Sequence, residues 1–233
     1  MKKLLMCGKN SVIDAIKNNL PAKKLYLSNK ENIKHFKTTN CPIEVLTTQE
    51  MNKLTKENHQ GFILEVNNID YKDVNSLIKN KPKTIIVLDH IQDPHNLGAI
   101  LRTINACGIK DVILPKEKSA EINSTVLKVS SGGFVGLNFY KVNSLSATLT
   151  KLKKTGYWVY ATTLDSNAIP HTDVEYNSPS ILIVGNEGVG VSKSVLSVCD
   201  QTVYIKQSGT VQSLNVSVAT GIILFDYKYK NER

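Results

Sequence analysis

The chain has 233 residues, 41% hydrophobic and 21% charged, which is enough apolar material for one large or two small packed domains and too much for a disordered polymer. Its 29 Lys and Arg outnumber its 20 Asp and Glu, and the formal net charge of +9 favours polyanionic partners through counterion release. No apolar run approaches the roughly 20 residues of a membrane span. The apolar run in the opening MKKLLMCGKN is too short for a signal peptide. Cys7, Cys41, Cys107 and Cys199 lack metal-ligand or disulfide-framework spacing, and the five histidines form no metal-binding pattern. A metal-free protein of the cytoplasm is expected.

In chain order, residues 9–20 read as a helix capped by Asn10 or Ser11, with the stripe Val12, Ile13, Ile16 and Leu20. Strands are predicted at Lys24–Leu27 and Glu44–Leu46, then a helix from a Thr47 or Thr48 cap through Lys56, then a strand at Gly61–Val66. Residues 1–67 thus form a small αβ module. Residues 68–82 are polar with one short apolar patch and read as a linker, with room for one helical turn. Residues 1–81 carry 14 of the basic and 8 of the acidic side chains, net +6, so most of the basic excess lies in the smaller part and suits a module that grips RNA.

From residue 83 onward strands and helices alternate. Thr84–Leu88 is a β-branched run of the kind buried on both faces of a parallel sheet. It is followed by a helix at Leu97–Cys107, a strand at Asp111–Leu114, a helix at Ile122–Val129 and a strand at Asn138–Val142. Then come a helix at Ser144–Lys154, strands at Tyr157–Thr162 and Ile181–Val184, a helix at Ser192–Val198 and a strand at Val203–Ile205. The last helix starts near Leu214, and Leu214–Phe225 has no charge, so it is expected to be buried in the core or in a dimer interface. The pattern predicts an α/β domain with a mainly parallel sheet.

Three polar loops follow strands, where α/β sheets bind ligands. The first, DHIQDPHNLG (Asp89–Gly98), leads into a helix whose core stripe is Leu97, Ile100, Leu101 and Ile104. Arg102 lies about 140° from Leu97 at ~100° per residue. It is one of only two arginines among the 29 basic residues, the other being Arg233. An arginine offers a planar fork of donors that lysine cannot copy. The plain alternatives are a solvated Arg102 and an Asn96 that only caps the helix. The second loop, GNEGVG (Gly185–Gly190), lacks both the dinucleotide fingerprint and the G-K-[ST] of a phosphate loop. Its one charge, Glu187, would repel phosphate, so the loop points to a phosphate-free ligand such as S-adenosylmethionine, or to a simple glycine turn. The third, QSGTVQSLN (Gln207–Asn215), places Ser213 and Asn215 before the apolar helix, where they can cap it.

Asn96-x-Gly98-x-x-x-Arg102, Gly185-Asn186-Glu187-Gly188 and Ser213-Leu214-Asn215 together resemble the three signature motifs of the SpoU family of RNA ribose methyltransferases, in the SPOUT superfamily. HQGF at 59–62 resembles the end of the small ribosomal-protein-like RNA-binding domain that precedes the catalytic domain in bacterial members. DPHNLGAILRT, SAEINSTVLKVSSGG and SLNVSVATGI are most similar to the branch that methylates a guanosine of 23S rRNA.

The resemblance implies a trefoil-knotted α/β domain over residues 83–233, with the knot in roughly 180–227, and a homodimer. It implies S-adenosylmethionine as cofactor and RNA as partner, in the form of 23S rRNA or a large-subunit precursor. Gly185, Ile205 and Leu214 are implied to hold the adenosine by backbone contacts, with Asn186, Gly188 and Thr162 in the same pocket. Arg102, Asn96, Glu187, Ser213 and Asn215 are implied to be catalytic, with Arg102 either taking the ribose proton or stabilising the developing alkoxide. The alternatives are the same chemistry on tRNA and a non-catalytic RNA-binding protein. A nucleotide-dependent oxidoreductase is poorly supported without the glycine fingerprint.

Overall fold

The computed structural model describes residues 4–36, 39, 41–67 and 69–231. Arg233 lies outside them. Two sheets organise the chain. In the first, β1 (Leu4–Cys7), β2 (Ala22–Leu27), β3 (Ile43–Val45) and β4 (Phe62–Val66) lie in the order β1-β4-β2-β3. β4 is antiparallel to β1 and β2, and β3 is parallel to β2. β1 was not foreseen: its four apolar residues become a strand only by pairing with β4, some sixty residues away.

Helix α1 (Lys9–Lys17) ends before Leu20, and Gly8 holds its N-cap position without a side-chain bond, so neither Asn10 nor Ser11 caps it. Helix α2 (Thr48–Leu54) starts as expected on Thr47. The Thr47 hydroxyl accepts the Glu50 N–H at 3.3 Å while the Glu50 carboxylate accepts the Thr47 N–H at 2.8 Å.

The second sheet contains β5 (Thr84–Asp89), β6 (Asp111–Pro115), β7 (Asn138–Val142), β8 (Trp158–Thr162), β9 (Ile169–Pro170), β10 (Ser180–Gly185) and β11 (Gln201–Tyr204). Its order is β7-β6-β5-β10-β8-β11-β9, and every neighbouring pair is parallel. The apolar run of β5 is explained by its two covered faces. Ile86 and Leu88 share a cluster with residues of α4 (Pro94–Ala106), α5 (Ser124–Ser130) and α8 (Val216–Asn231). Ile85 and Val87 face α6 (Leu145–Lys153), α7 (Lys193–Leu196) and α3 (Asn75–Asn80). Leu77 of α3 is fully buried there, so the polar stretch after residue 67 contains a helix that docks on the sheet.

The first sheet is not detached from the second. Met6, Leu27 and Leu64 join the same apolar cluster as Leu97 and Leu127, and the Ser124 hydroxyl donates to the Glu57 carboxylate. Helices α4 and α5 approach closely. A Cβ on Gly98 would lie 2.8 Å from Val129 Cβ, and one on Gly133 would lie 2.6 Å from Arg102 Cα. The two glycines therefore set where the Arg102 helix sits.

Candidate active site

The carboxyl ends of β8, β10 and β11 open into one cavity of about 470 Å³, within the usual range for ligand pockets. Its walls come from Thr162–Asp165 after β8, Gly185–Gly190 after β10, Tyr204, Ile205 and Gln207 around the end of β11, and Gln212–Leu214 before α8. Its floor is apolar: Val184, Val203, Val216, Ala219 and Ile223.

The Gly185 loop is built to one geometry. Asn186 and Gly190 exchange backbone hydrogen bonds of 3.0 and 2.8 Å, folding the loop back on itself. That fold presses Gly190 and Val191 against Gly185, where a Cβ would lie 2.2 Å from backbone atoms of both. The Asn186 carboxamide is committed to the loop. Its Oδ1 accepts from the Gly188 and Val189 N–H groups at 2.9 and 3.3 Å, and its Nδ2 donates to the His90 carbonyl at 2.9 Å. Asn186 therefore shapes the cavity rather than offering its side chain to a ligand. The Thr162 hydroxyl is likewise engaged, donating to the Ile183 carbonyl at 3.1 Å.

At the mouth of the cavity the three motifs meet. Asn215 Nδ2 donates to Asn96 Oδ1 at 3.0 Å, and Asn96 Nδ2 donates to Glu187 Oε1 at 2.7 Å. One side chain from each motif thus enters a single relay. Asn96 is not the cap of α4. Asp93 is, accepting the His95 N–H at 2.9 Å, and Pro94 fills the first turn, so the helix begins three residues earlier than expected and leaves the Asn96 amide free for the relay. Asn215 does both tasks: its Oδ1 accepts from the Ser217 N–H at 2.9 Å and caps α8, which begins at Val216. Ser213 lines the cavity, exposed and without a hydrogen-bond partner among the described residues.

Arg102 stands apart. It is exposed, makes no hydrogen bond or ion pair with a described residue, and is not among the cavity's lining residues. Six positions beyond Asn96, it lies about 9 Å further along α4 and about 120° around it. Within one chain, then, the relay and the cavity come together and Arg102 does not.

Asp89, at the end of β5, was not singled out in the sequence. It is 1% exposed, lies beside Gly185 in the sheet register, and accepts the Ser192 N–H at 2.7 Å while bonding to the His90 ring. A carboxylate directly after an uninterrupted apolar strand is the signal that marks it. Asp89→Ala leaves the Ser192 N–H unsatisfied. It is expected to lower unfolding stability by about 1–3 kcal/mol in urea titration.

The match to family models decides the assignment. Residues 83–225 match the model described as the SpoU rRNA methylase family, and residues 5–72 match one described as RNA 2′-O ribose methyltransferase substrate binding. The chain belongs to the SpoU rRNA methylase family. This SpoU methylase is 37% identical to an uncharacterized tRNA/rRNA methyltransferase of Mycoplasma pneumoniae, with 95% of each chain covered. It is 34% identical to the 23S rRNA (guanosine-2′-O-)-methyltransferase RlmB of Coxiella burnetii over 86% of this chain and 82% of that one. An AdoMet-bound rRNA methyltransferase structure from Sinorhizobium meliloti shares the fold, with a TM-score of 0.78 and 24% identity over 98% of this chain and 87% of that one.

SpoU methylases use S-adenosylmethionine, so this chain is an S-adenosylmethionine-dependent RNA methyltransferase. The cavity's chemistry fits that cofactor. Among the described residues its lining contains Asp165 and Glu187 and no Lys or Arg, which suits a sulfonium and an ammonium and repels phosphate. Its apolar floor suits the purine.

Proposed function

We propose that this SpoU methylase adds a methyl group to the ribose 2′-hydroxyl of a guanosine in 23S rRNA, acting as a homodimer. Residues 1–67 bind the RNA, 68–82 connect, and 83–233 carry out the transfer. The observation that carries the reading is the Asn215–Asn96–Glu187 relay at the mouth of a cavity that has no basic side chain among its described lining residues. The substrate-binding model over residues 5–72 and the name of the Coxiella relative support the 2′-oxygen and the RNA class.

When bound, the cofactor supplies an electrophilic methyl group on a sulfonium. The protein has to place the ribose oxygen in line with it and manage the hydroxyl proton. Gly185, Ile205 and Leu214 offer backbone groups around the adenosine, and Gly188 lines the same cavity. Glu187, held by Asn96, and Ser213 orient the ribose at the mouth. Arg102 acts on the 2′-oxygen and the adjacent phosphate. A guanidinium is ordinarily a poor base, so charge stabilisation of the alkoxide is the larger part of its role.

The homodimer is argued from α8. Val218 and Phe225 are each 52% exposed and Tyr229 is 63% exposed, at spacings that line one face of the helix. The expectation from sequence for this helix is burial in the core or in a dimer interface; Val216, Ile223 and Leu224 are buried in the core, and the exposed face supports the second setting. Arg102 of a second copy is then the candidate to serve a cavity whose lining does not include the chain's own Arg102. Phe225→Glu is expected to convert the dimer to monomer in light scattering and to abolish methyl transfer. A dimer that persists in this variant would remove α8 from the interface.

The substrate is tested by transfer of labelled methyl from S-adenosylmethionine to protein-free 23S rRNA and to bulk tRNA. Label in rRNA that makes one guanosine linkage resistant to alkali is the expected result. Label in tRNA alone would establish the second reading, which the tRNA/rRNA name of the Mycoplasma relative keeps in view.

A further inference from the structure

Gln207 lies three residues past the end of β11, on the wall of the cavity. Its Oε1 is fully buried and accepts no hydrogen bond from a described residue. Among the described residues three other side-chain atoms share that condition, His171 Nδ1, Tyr176 OH and Asp226 Oδ2, but they belong to residues gathered at the far end of α8, where His171 and Asp226 approach to 3.5 Å and Lys230 reaches Asp226 at 3.0 Å. Gln207 alone of the four lines the cavity. A buried carbonyl left without a donor is destabilising, and native proteins keep few of them. A ligand that donates at that point would remove the penalty.

We infer that Gln207 reads the adenine ring of the cofactor, its Oε1 accepting from the exocyclic amine. The inference rests on the assignment of this cavity to S-adenosylmethionine. The cofactor has three kinds of donor: the methionine ammonium, the ribose hydroxyls and the adenine amine. The ammonium is matched by the carboxylate of Asp165. The apolar floor of Val203, Val216, Ala219 and Ile223 accommodates a flat ring and offers nothing to ribose hydroxyls. A primary carboxamide is also the side chain best matched to an adenine edge, accepting from the amine while its own NH₂ donates to a ring nitrogen beside it. Backbone contacts from Gly185, Ile205 and Leu214 would hold adenosine in place; Gln207 would add selection for the 6-amino group.

The test is a binding cycle by calorimetry, with no turnover involved. S-adenosylhomocysteine and its 6-deamino analogue, which carries unsubstituted purine, are each titrated into the wild-type protein, Gln207→Met and Gln207→Glu. Wild type is expected to favour the adenine ligand by about tenfold, the equivalent of one buried hydrogen bond. Gln207→Met, similar in size and without an acceptor, is expected to bring that ratio to within about twofold of unity. Gln207→Glu, which retains an acceptor, is expected to keep a preference for adenine. An undiminished tenfold ratio in Gln207→Met would overturn the inference while leaving the cavity assignment intact. Failure of the wild-type protein to bind S-adenosylhomocysteine would overturn both. If Gln207→Met does not fold, equal binding of the two ligands by the wild type alone is enough to reject the contact.

Discussion

Arg102→Ala is expected to lower the methyl-transfer rate by about 10²–10³-fold, the range for removing one preorganised charge-stabilising donor, while changing S-adenosylmethionine affinity by less than about twofold, within the scatter expected of a surface change remote from the ligand. The split follows from geometry: Arg102 is exposed, unpartnered among the described residues, and absent from the cavity's walls. Arg102→Lys keeps the charge and loses the planar fork. It is expected to recover only a small part of the rate, and near-wild-type turnover by Lys would reject the fork as the reason for arginine here. Subunit mixing addresses which cavity the side chain serves. If Arg102 of one copy acts at the cavity of the other, mixing Arg102→Ala with Glu187→Ala restores about one quarter of wild-type activity, since half of randomly paired dimers are mixed and each holds one intact site. If Arg102 serves its own chain, the mixture stays inactive.

Gly185→Ala is expected to weaken cofactor binding by about a hundredfold or more and to lower stability by about 3 kcal/mol. The added methyl would lie 2.2 Å from Gly190 C and Val191 N and 2.5 Å from Gly190 O. All three are backbone atoms, so no side-chain rotation relieves the clash. The loop would have to open, and opening breaks the paired Asn186–Gly190 hydrogen bonds and the Asn186 contacts that position Glu187. Gly209→Ala is the matched control, because a Cβ there meets nothing within 4 Å; it is expected to leave affinity and stability unchanged. Calorimetric titration with S-adenosylhomocysteine and urea unfolding of both variants read the two effects separately. A Gly185→Ala protein that binds normally would show that the loop is looser than its packing implies.

Asn96, Glu187 and Asn215 illustrate how site residues become functional together. Each has a local explanation taken alone: a helix-start asparagine, an acid in a glycine turn, a cap. The relay that unites them spans 91 and 119 residues of sequence separation. It exists because β5 and β10 are adjacent parallel strands whose ends bring Asp89 level with Gly185, and because α8 packs against α4.

What the sequence by itself determined was whatever depends on short-range pattern. The β-branched runs at residues 84–88 and 181–184 specify strands buried on both faces, and alternation with amphipathic segments specifies a parallel α/β sheet. Thr47 with Glu50 three residues on marks the start of α2. The three spaced motifs mark the family. Tertiary structure decided the rest. β1 is a strand only because β4 lies beside it, and α3 is a helix whose one fully buried residue, Leu77, finds its partners on the sheet. The cap of α4 fell to Asp93 because Pro94 suits the first helical turn, which freed Asn96 for a partner 91 residues away. The exposed stripe of α8 and the separation of Arg102 from the cavity are likewise invisible to periodicity. Hydrophobic period reports which side of an element is apolar, whereas the neighbour that covers that side, or leaves it bare, is set by how distant segments pack in three dimensions.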